Sequence, residues 1–494
     1  MRVAETLTKC FSMVESITSM LHLQQIQAQM TKTALDRNAL AVSKLVAFSS
    51  LSDHADLNYA CSILIHTENS TNFMWNMIVR GFSHSKEPEK ALYWYSKMTN
   101  SGLSPDKFTF PFLLKACSRL FNLGNGQQIH CQIVKVGPLN DPHVDSSLVH
   151  FYTSCGDLDF AQMVFEKISH RNVVFWNVMI SGSARNGRFK EALGFFHQMR
   201  LADENPDEFS LVCVTSACTN IGMLSMGKWV HGLVHKSGFC QVVLLGNALV
   251  NMYGKCGSMD DAFKVFDEMG VRDVVSWGTM IDVCAIHGCG KRALDVFGEM
   301  ERVGIMPDDM AFTSVLCACS HAGLLLEGEM WFNRMSRDYR ITPKIQHYGC
   351  LVDLLGKAGR LEEAYRLVRH MLIEPDAAVW RSLVVACLFH GDLCLAEVAA
   401  GWLRRLDPDD TGDLVILSNV YARLGRWGDV ERLRRGVRKN PSCSSIEVNG
   451  VVHEFFTWDM LHPQTSEIYV LMNHMIREMR LGYVSNTSHV LMEL

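Results

Sequence analysis

The chain has 494 residues, 48% hydrophobic and 20% charged, with a formal net charge of −5. That balance supplies a large apolar core and excludes a binder that is cationic all over, so a nucleic-acid partner would have to lie in a local groove. The 17 cysteines are odd in number and scattered, which fits reduced, buried thiols rather than a disulfide framework, and no apolar run is long enough to span a bilayer.

The first stretch, MRVAETLTKCFSMVES, carries one arginine and two glutamates, Glu5 and Glu15, and is a poor organellar transit peptide. Residues 1–71 read as degenerate repeats, a worn helix pair at 3–37 and a lengthened short one at 38–71. From residue 72 a fixed period takes over. Trp75, Trp176 and Trp277 are spaced 101 residues apart, as are Pro105, Pro206 and Pro307, and Cys117, Cys218 and Cys319. Each block divides into helix pairs of 35, 35 and 31 residues: 72–106, 107–141 and 142–172, then 173–207, 208–242 and 243–273. A third block, 274–308, 309–344 and 345–376, is one residue longer in each of its last two pairs.

Ala91, Leu92, Tyr95 and Met98 fall at helical spacing and recur as Ala192, Leu193, Phe196 and Met199, and as Ala293, Leu294, Phe297 and Met300. One pair cannot bury such a stripe alone, so the pairs must stack. Gly156, Gly187, Gly257, Gly288 and Gly359 mark turns. Beyond Asp376 the pattern changes to two further helix pairs over 377–439. The extension 440–494 opens on CSSIEVNGVVHEFF, where Asn449-Gly450 predicts a hairpin near 446–456.

The triplet of unit lengths, Trp176-Asn177-Val178-Met179-Ile180, Gly254-Lys255-Cys256-Gly257 and LCACSHAG at Leu316–Gly323 resemble plant pentatricopeptide repeat (PPR) proteins of the PLS subclass. The likeness covers nearly the whole chain. Residues 377–439 resemble the E-type motifs of that subclass, and 440–494 its E-plus extension, with His462-Pro463 and Gly482-Tyr483 continuing the match. Two departures stand out: Ser445 replaces the usual tryptophan, and the second E-type pair is short between Arg435 and Lys439. The sequence stops at Leu494, about where a DYW deaminase domain would begin. The resemblance implies an all-α fold, a right-handed α-solenoid superhelix of helix-turn-helix repeats with a small β-hairpin in the C-terminal extension. It also implies a mitochondrial or chloroplast location.

A zinc deaminase needs His-x-Glu and Cys-x-x-Cys. His453-Glu454 lacks that spacing, no cysteine follows Cys443, and Cys317-Ala318-Cys319 is misspaced on a repeat helix. No Walker loop, H-E-x-x-H or nucleophile elbow is present. Histidines such as His321 and His390 read as helix-end or packing residues. The chain is therefore expected to be no enzyme and to carry no metal and no cofactor.

The candidate site follows from the resemblance. In the family the fifth and last residues of a unit face one RNA base. Here they are Asn76 with Asp106, Ser146 with Asn172, Asn177 with Asp207, and Asn247 with Asp273. The second residue packs on the base: Phe73, Val174, Leu244 and Val275. An amide can both donate and accept to an exposed Watson–Crick edge, while a carboxylate accepts. Asp106, Asp207 and Asp308 also follow proline and precede a helix, so helix capping alone would account for them. By the family's code Asn with Asp selects uridine and Ser with Asn selects adenosine. Pro111, Val212 and Gly278 stand at fifth positions that should read little. The expected core is U, any, A, U, any, U, with the first base at 72–106.

Three functions fit the sequence. One is a single-stranded organellar RNA-binding protein that directs C-to-U editing, with a DYW-type deaminase supplied in trans and multiple organellar RNA editing factor proteins as partners. Another is an RNA stability, cleavage or splicing factor. The third is a protein-interaction solenoid without RNA. None involves a membrane. Trp402, Trp427 and Arg404, Arg405, Arg423, Arg426, Arg432, Arg434, Arg435 and Arg438 form either a docking surface or a solvated cap.

Overall fold

A computed structural model describes residues 18–32, 37–53, 55–137, 141–406, 411–434, 443–448, 451–456 and 464–475. The chain forms two compact units, Met1–Ala217 and Cys218–Leu494. Both are α-solenoid stacks of antiparallel helix pairs.

In the first unit, Met20–Lys32, Ala39–Leu51 and Leu57–Ile65 precede four pairs: Asn72–His84 with Glu89–Asn100, Phe110–Arg119 with Leu123–Val136, Pro142–Ser154 with Leu158–Glu166, and Val173–Arg185 with Phe189–Leu201. The first helix of each pair lies against the first helix of the next, so these helices form one continuous layer. In the second unit the pairs are Val243–Lys255 with Met259–Glu268, Val274–Ile286 with Gly290–Arg302, Asp309–Ala322 with Leu325–Arg337, and Ile345–Lys357 with Leu361–His370. Leu224–Lys236 precedes them. Ala377–His390 with Leu393–Leu406 and Thr411–Arg423 with Trp427–Arg434 follow, and another helix spans 465–475.

The predicted hairpin is present as strands β1 (Cys443–Val448) and β2 (Val451–Phe456). They pair antiparallel with Cys443 opposite Phe456 and Val448 opposite Val451. Asn449-Gly450, residues 435–440, His462-Pro463 and Gly482-Tyr483 lie outside the described residues. No described helix is long and apolar enough to cross a membrane.

The turn glycines sit inside each pair, between its two helices. Gly156, Gly187, Gly257, Gly288 and Gly359 have φ between 69° and 84°, left-handed values that favour a residue without Cβ. The recurring aromatic residues lie between pairs. The Trp176 ring meets Phe165 edge-on at 4.9 Å, and Trp277 meets Phe266 likewise at 5.0 Å. Arg171 and Arg272 close these junctions. Each guanidinium lies over its phenylalanine and donates to the last carbonyls of the preceding helix, Phe165 and Glu166 or Phe266 and Asp267. Cys117, Cys218 and Cys319 are buried thiols outside any disulfide. Burial pushes the Cys117 and Cys319 thiols up to about 12, which makes them inert packing groups.

A second periodic glycine allows close approach between pairs. A Cβ on Gly126 would fall 1.9 Å from the Phe151 ring, one on Gly227 2.4 Å from Met252 Sδ, and one on Gly328 2.3 Å from Leu354. Glycine to alanine inside a helix gains about 1 kcal/mol of propensity, and overpacking costs about 1–3 kcal/mol. The Phe151 ring cannot yield, whereas the Met252 thioether can rotate away. Gly126→Ala is therefore expected to lower the thermal melting temperature and Gly227→Ala to leave it nearly unchanged. Equal melting temperatures for the two variants would contradict this.

Candidate nucleic-acid interface

The fifth and last residues of three units are brought together. Asn76 Nδ2 donates to Asp106 Oδ1 at 3.0 Å, Asn177 Nδ2 to both oxygens of Asp207 at 3.0 Å, and Asn247 Nδ2 to Asp273 Oδ1 at 3.3 Å. The asparagines are 3%, 8% and 8% exposed. Each bond links the first helix of one pair to the start of the next. Capping is present as well. Asp207 Oδ1 accepts from the Ser210 N–H at 2.8 Å, Asp273 Oδ1 from the Ser276 N–H at 2.8 Å, and Asp308 Oδ1 from the Ala311 N–H at 2.8 Å.

Sequence reading did not identify a third member of each cluster, a hydroxyl three residues after the aspartate. Thr109 Oγ1 donates to Asn76 Oδ1 at 2.7 Å, and Ser210 Oγ donates to Asn177 Oδ1. These bonds fix the amide with its oxygen toward the hydroxyl and its nitrogen toward the carboxylate. Ser276 Oγ instead donates to Asp273, and the buried Asn247 Oδ1 has no hydrogen-bond partner. The legible signal was the Asp-x-x-Ser/Thr spacing of a capping box.

Ser146 and Asn172 differ. Ser146 is half-buried, and Asn172 Oδ1 caps its own helix by accepting from the Val174 and Phe175 N–H groups. No hydrogen bond joins the two among the described residues. At Gly278 a Cβ would meet open space, so Asp308 has no amide facing it from that position.

The second residues are exposed apolar groups in both units. Phe73, Val174, Leu244 and Val275 are 50%, 56%, 61% and 55% exposed, each at the start of a first helix. In the first unit, cations continue the same stripes at helical spacing. Arg80 and His84 follow Phe73, Lys115 and Arg119 follow Phe108 and Phe112, and Arg185 follows Val174. Sequence reading missed them, although their seven- and eleven-residue offsets were available. A cavity of about 520 Å³ lies among Lys115, Arg119, His150, Ser154, Arg185 and Asn186, and none of its lining residues is acidic. Lys115 Nζ is 2.7 Å from His84 Nε2. Burial, then Arg119 and Arg80, push the Lys115 ammonium below its ordinary range. This is a concentration of positive charge inside a net-negative chain.

The stripe changes character after Asp376. At the fifth position of that pair, the Arg381 guanidinium binds the buried carboxylate of Asp413. Trp402 stacks on Trp380 at 5.6 Å with the planes 8° apart. Arg426 pairs with Glu397 and Asp429, Arg432 with Asp429, and Arg423 donates to the Leu388 carbonyl. Trp427 is exposed, as are Arg404 and Arg405. Arg435 and Arg438 lie outside the described residues.

The aspartate network has a pH signature. Burial pushes the Asp207 carboxyl up, but the Ser210 N–H, its hydroxyl and the Asn177 amide outweigh it and hold the group below the usual carboxylate range. A depressed folded value adds stability above the unfolded value, near 3.9, and loses it as pH falls through the folded one. Asp207→Ala should cost about 1–2 kcal/mol at pH 7. The difference from the wild type should shrink below about pH 4. Melting curves across that range check it, and a pH-independent difference would contradict the assignment.

Three comparisons with known proteins follow from these observations. The PPR repeat family model matches residues 71–119, 171–220 and 272–321, the PPR repeat model matches 247–274, 310–339 and 347–374, and the E motif model matches 390–447. Among relatives from Arabidopsis thaliana, the chloroplastic/mitochondrial pentatricopeptide repeat-containing protein At1g59720 is 39% identical over 97% of this chain and 78% of its own length. The chloroplastic protein CRR2 is 36% identical over 93% of this chain and 71% of its own. Among solved structures, PPR10 in complex with an 18-nt psaJ RNA element has a TM-score of 0.66 at 17% identity, covering 84% of this chain and 63% of that one. The chloroplast or mitochondrial location expected from the resemblance is the one these relatives carry. The chain belongs to the pentatricopeptide repeat family, in its PLS subclass, and carries an E motif.

Proposed function

We propose that the chain binds single-stranded organellar RNA in a sequence-specific way. The observation that carries this is the Asn–Asp bond, with a hydroxyl three residues after the aspartate, recurring on the first helices of the units that begin at 72, 173 and 243 beside an exposed apolar residue. A base can lie on Phe73, Val174 or Leu244 while its Watson–Crick edge meets the amide and carboxylate, and on Val275 without an amide from Gly278. The cations of the first unit suit the phosphates of the same strand. The likeness to PPR10, solved with RNA bound, agrees with this reading.

The base assignments rest on the same clusters. Asn76/Asp106, Asn177/Asp207 and Asn247/Asp273 read uridine, and Ser146/Asn172 reads adenosine. Capping and reading are compatible, because the carboxylate that caps the next helix is thereby aimed and ionised. Unit boundaries at 71/72, 376/377 and 439/440 separate degenerate repeats, reading array, E-type pairs and extension. The E motif favours C-to-U editing over RNA stability, cleavage or splicing. The chain then supplies recognition but no catalysis, and a DYW-type deaminase acts in trans, with multiple organellar RNA editing factor proteins as further partners. Trp427, Arg404 and Arg405 are the exposed candidates for that docking.

Asn177→Ala removes one amide from the site facing the 173–207 unit. It should lower affinity for the U-containing RNA by about 1–3 kcal/mol and flatten the preference for U at that base. Fluorescence anisotropy with single-base variants reads this out, and equal wild-type affinity for U and A there would sink the assignment. Lys115→Ala with Arg119→Ala should weaken all sequences alike and reduce the salt slope by about 1–2. For editing, transcripts from a loss-of-function line complemented with a chain truncated after Asp376 should keep an unedited cytidine. Full rescue by that truncation would remove the E-region role.

A further inference from the structure

Outside the RNA-facing stripes, the second unit gathers donor atoms that repeat packing does not account for. His231 and His235 are one turn apart on Leu224–Lys236, so both imidazoles share a face. Their Nε2 atoms are 3.1 Å apart. Glu268, at the end of Met259–Glu268, completes a set in which one donor atom from each residue lies within 4.8 Å of the others. The outer ring nitrogens already have partners. His231 Nδ1 is 2.9 Å from the Tyr253 hydroxyl, and His235 Nδ1 is 3.1 Å from Cys240 Sγ. The group borders a cavity of about 190 Å³.

The internal repeat supplies a control. In the first block His130 and Tyr152 reproduce the His231–Tyr253 contact, Nδ1 to hydroxyl at 2.8 Å. That bond is therefore part of the repeat. The residues one period before His235 and Glu268 are Val134 and Lys167, an apolar group and a cation. The two groups that turn a packing histidine into a ligand set occur in one copy alone.

We propose, against the expectation of no metal that the missing deaminase motif gave, that His231, His235 and Glu268 bind a divalent transition-metal ion, zinc by the character of the donors. Two imidazoles and a carboxylate are a zinc donor set, with a fourth position left for water. Tetrahedral zinc at about 2.0–2.1 Å from each nitrogen holds its ligands roughly 3.3 Å apart, close to the observed separation of the two Nε2 atoms. The hydroxyl and thiol behind the rings orient them as outer partners orient metal-bound histidines. The bound ion joins the two second helices that carry its ligands, Leu224–Lys236 and Met259–Glu268, so its role is to clamp neighbouring pairs.

The test uses the full chain, stripped with a chelator and titrated with zinc chloride against a chromophoric competitor. One zinc per chain is expected, with a zinc-dependent rise in melting temperature. His235→Val, which copies the first block, and Glu268→Gln should each weaken zinc at least about tenfold. Both residues are exposed, so circular dichroism should not change. His130→Ala serves as the control and should leave zinc binding intact. Absence of saturable binding, binding undiminished in His235→Val, or an equal loss in His130→Ala would each overturn the proposal. RNA affinity measured on the same samples is expected to be unchanged by His235→Val, which keeps this result separate from the RNA assignment.

Discussion

A helix pair of this length has an apolar face it cannot cover, and the neighbouring pair must cover it. Several periodic residues serve that junction. Trp176 and Trp277 fill it edge-on against phenylalanines, Arg171 and Arg272 close the helix end beside it, and glycines such as Gly126 bring the backbones together. The polar network obeys the same constraint. Asn177 sits on one pair, Asp207 at the start of the next, and Ser210 behind both. A residue proposed to face a base in one unit thus also helps set the spacing to the next.

In the proposed reading, capping and base recognition are not rivals. A carboxylate at a helix start is ionised and fixed in direction by the N–H groups it accepts from. An amide bonded to it loses rotamer freedom before any ligand arrives. Recognition then incurs less ordering cost, as preorganisation requires. Asn247 shows the arrangement with one bond absent: its oxygen is buried without a partner where Asn76 and Asn177 have a hydroxyl donor.

The repeat itself was legible, because a period of one hundred and one residues is imposed on tryptophan, proline and cysteine alike. The turn glycines were legible through the left-handed backbone they need, and the hairpin through its alternation. Less legible was anything that depends on which face of a helix is open. Phe108, Lys115 and Arg119 are exposed along one stripe with the half-buried Phe112, but in sequence their charges are diluted by acids on other faces. The C-terminal arginines mislead the other way. They read as a basic surface, yet Arg426 and Arg432 are paired with carboxylates, Arg423 donates to a carbonyl of the preceding pair, and Trp402 is stacked on Trp380. Composition counts charges; only geometry says which are already neutralised.

The same reasoning separates the histidines. Spacing alone makes His130 and His231 equivalent, and both bond a tyrosine hydroxyl as the repeat dictates. What distinguishes them is a residue one turn on, Val134 against His235, and one on the neighbouring pair, Lys167 against Glu268. A departure from periodicity in a repeat protein is unconstrained by stacking when the residue is exposed, so neutral drift would scatter such changes. Here two fall on different helices and bring their donor atoms to one point. A short His-x-x-x-His signal therefore gains weight only once the carboxylate of the adjacent pair is seen beside it, which the linear sequence, with thirty-two residues between His235 and residue 268, does not show.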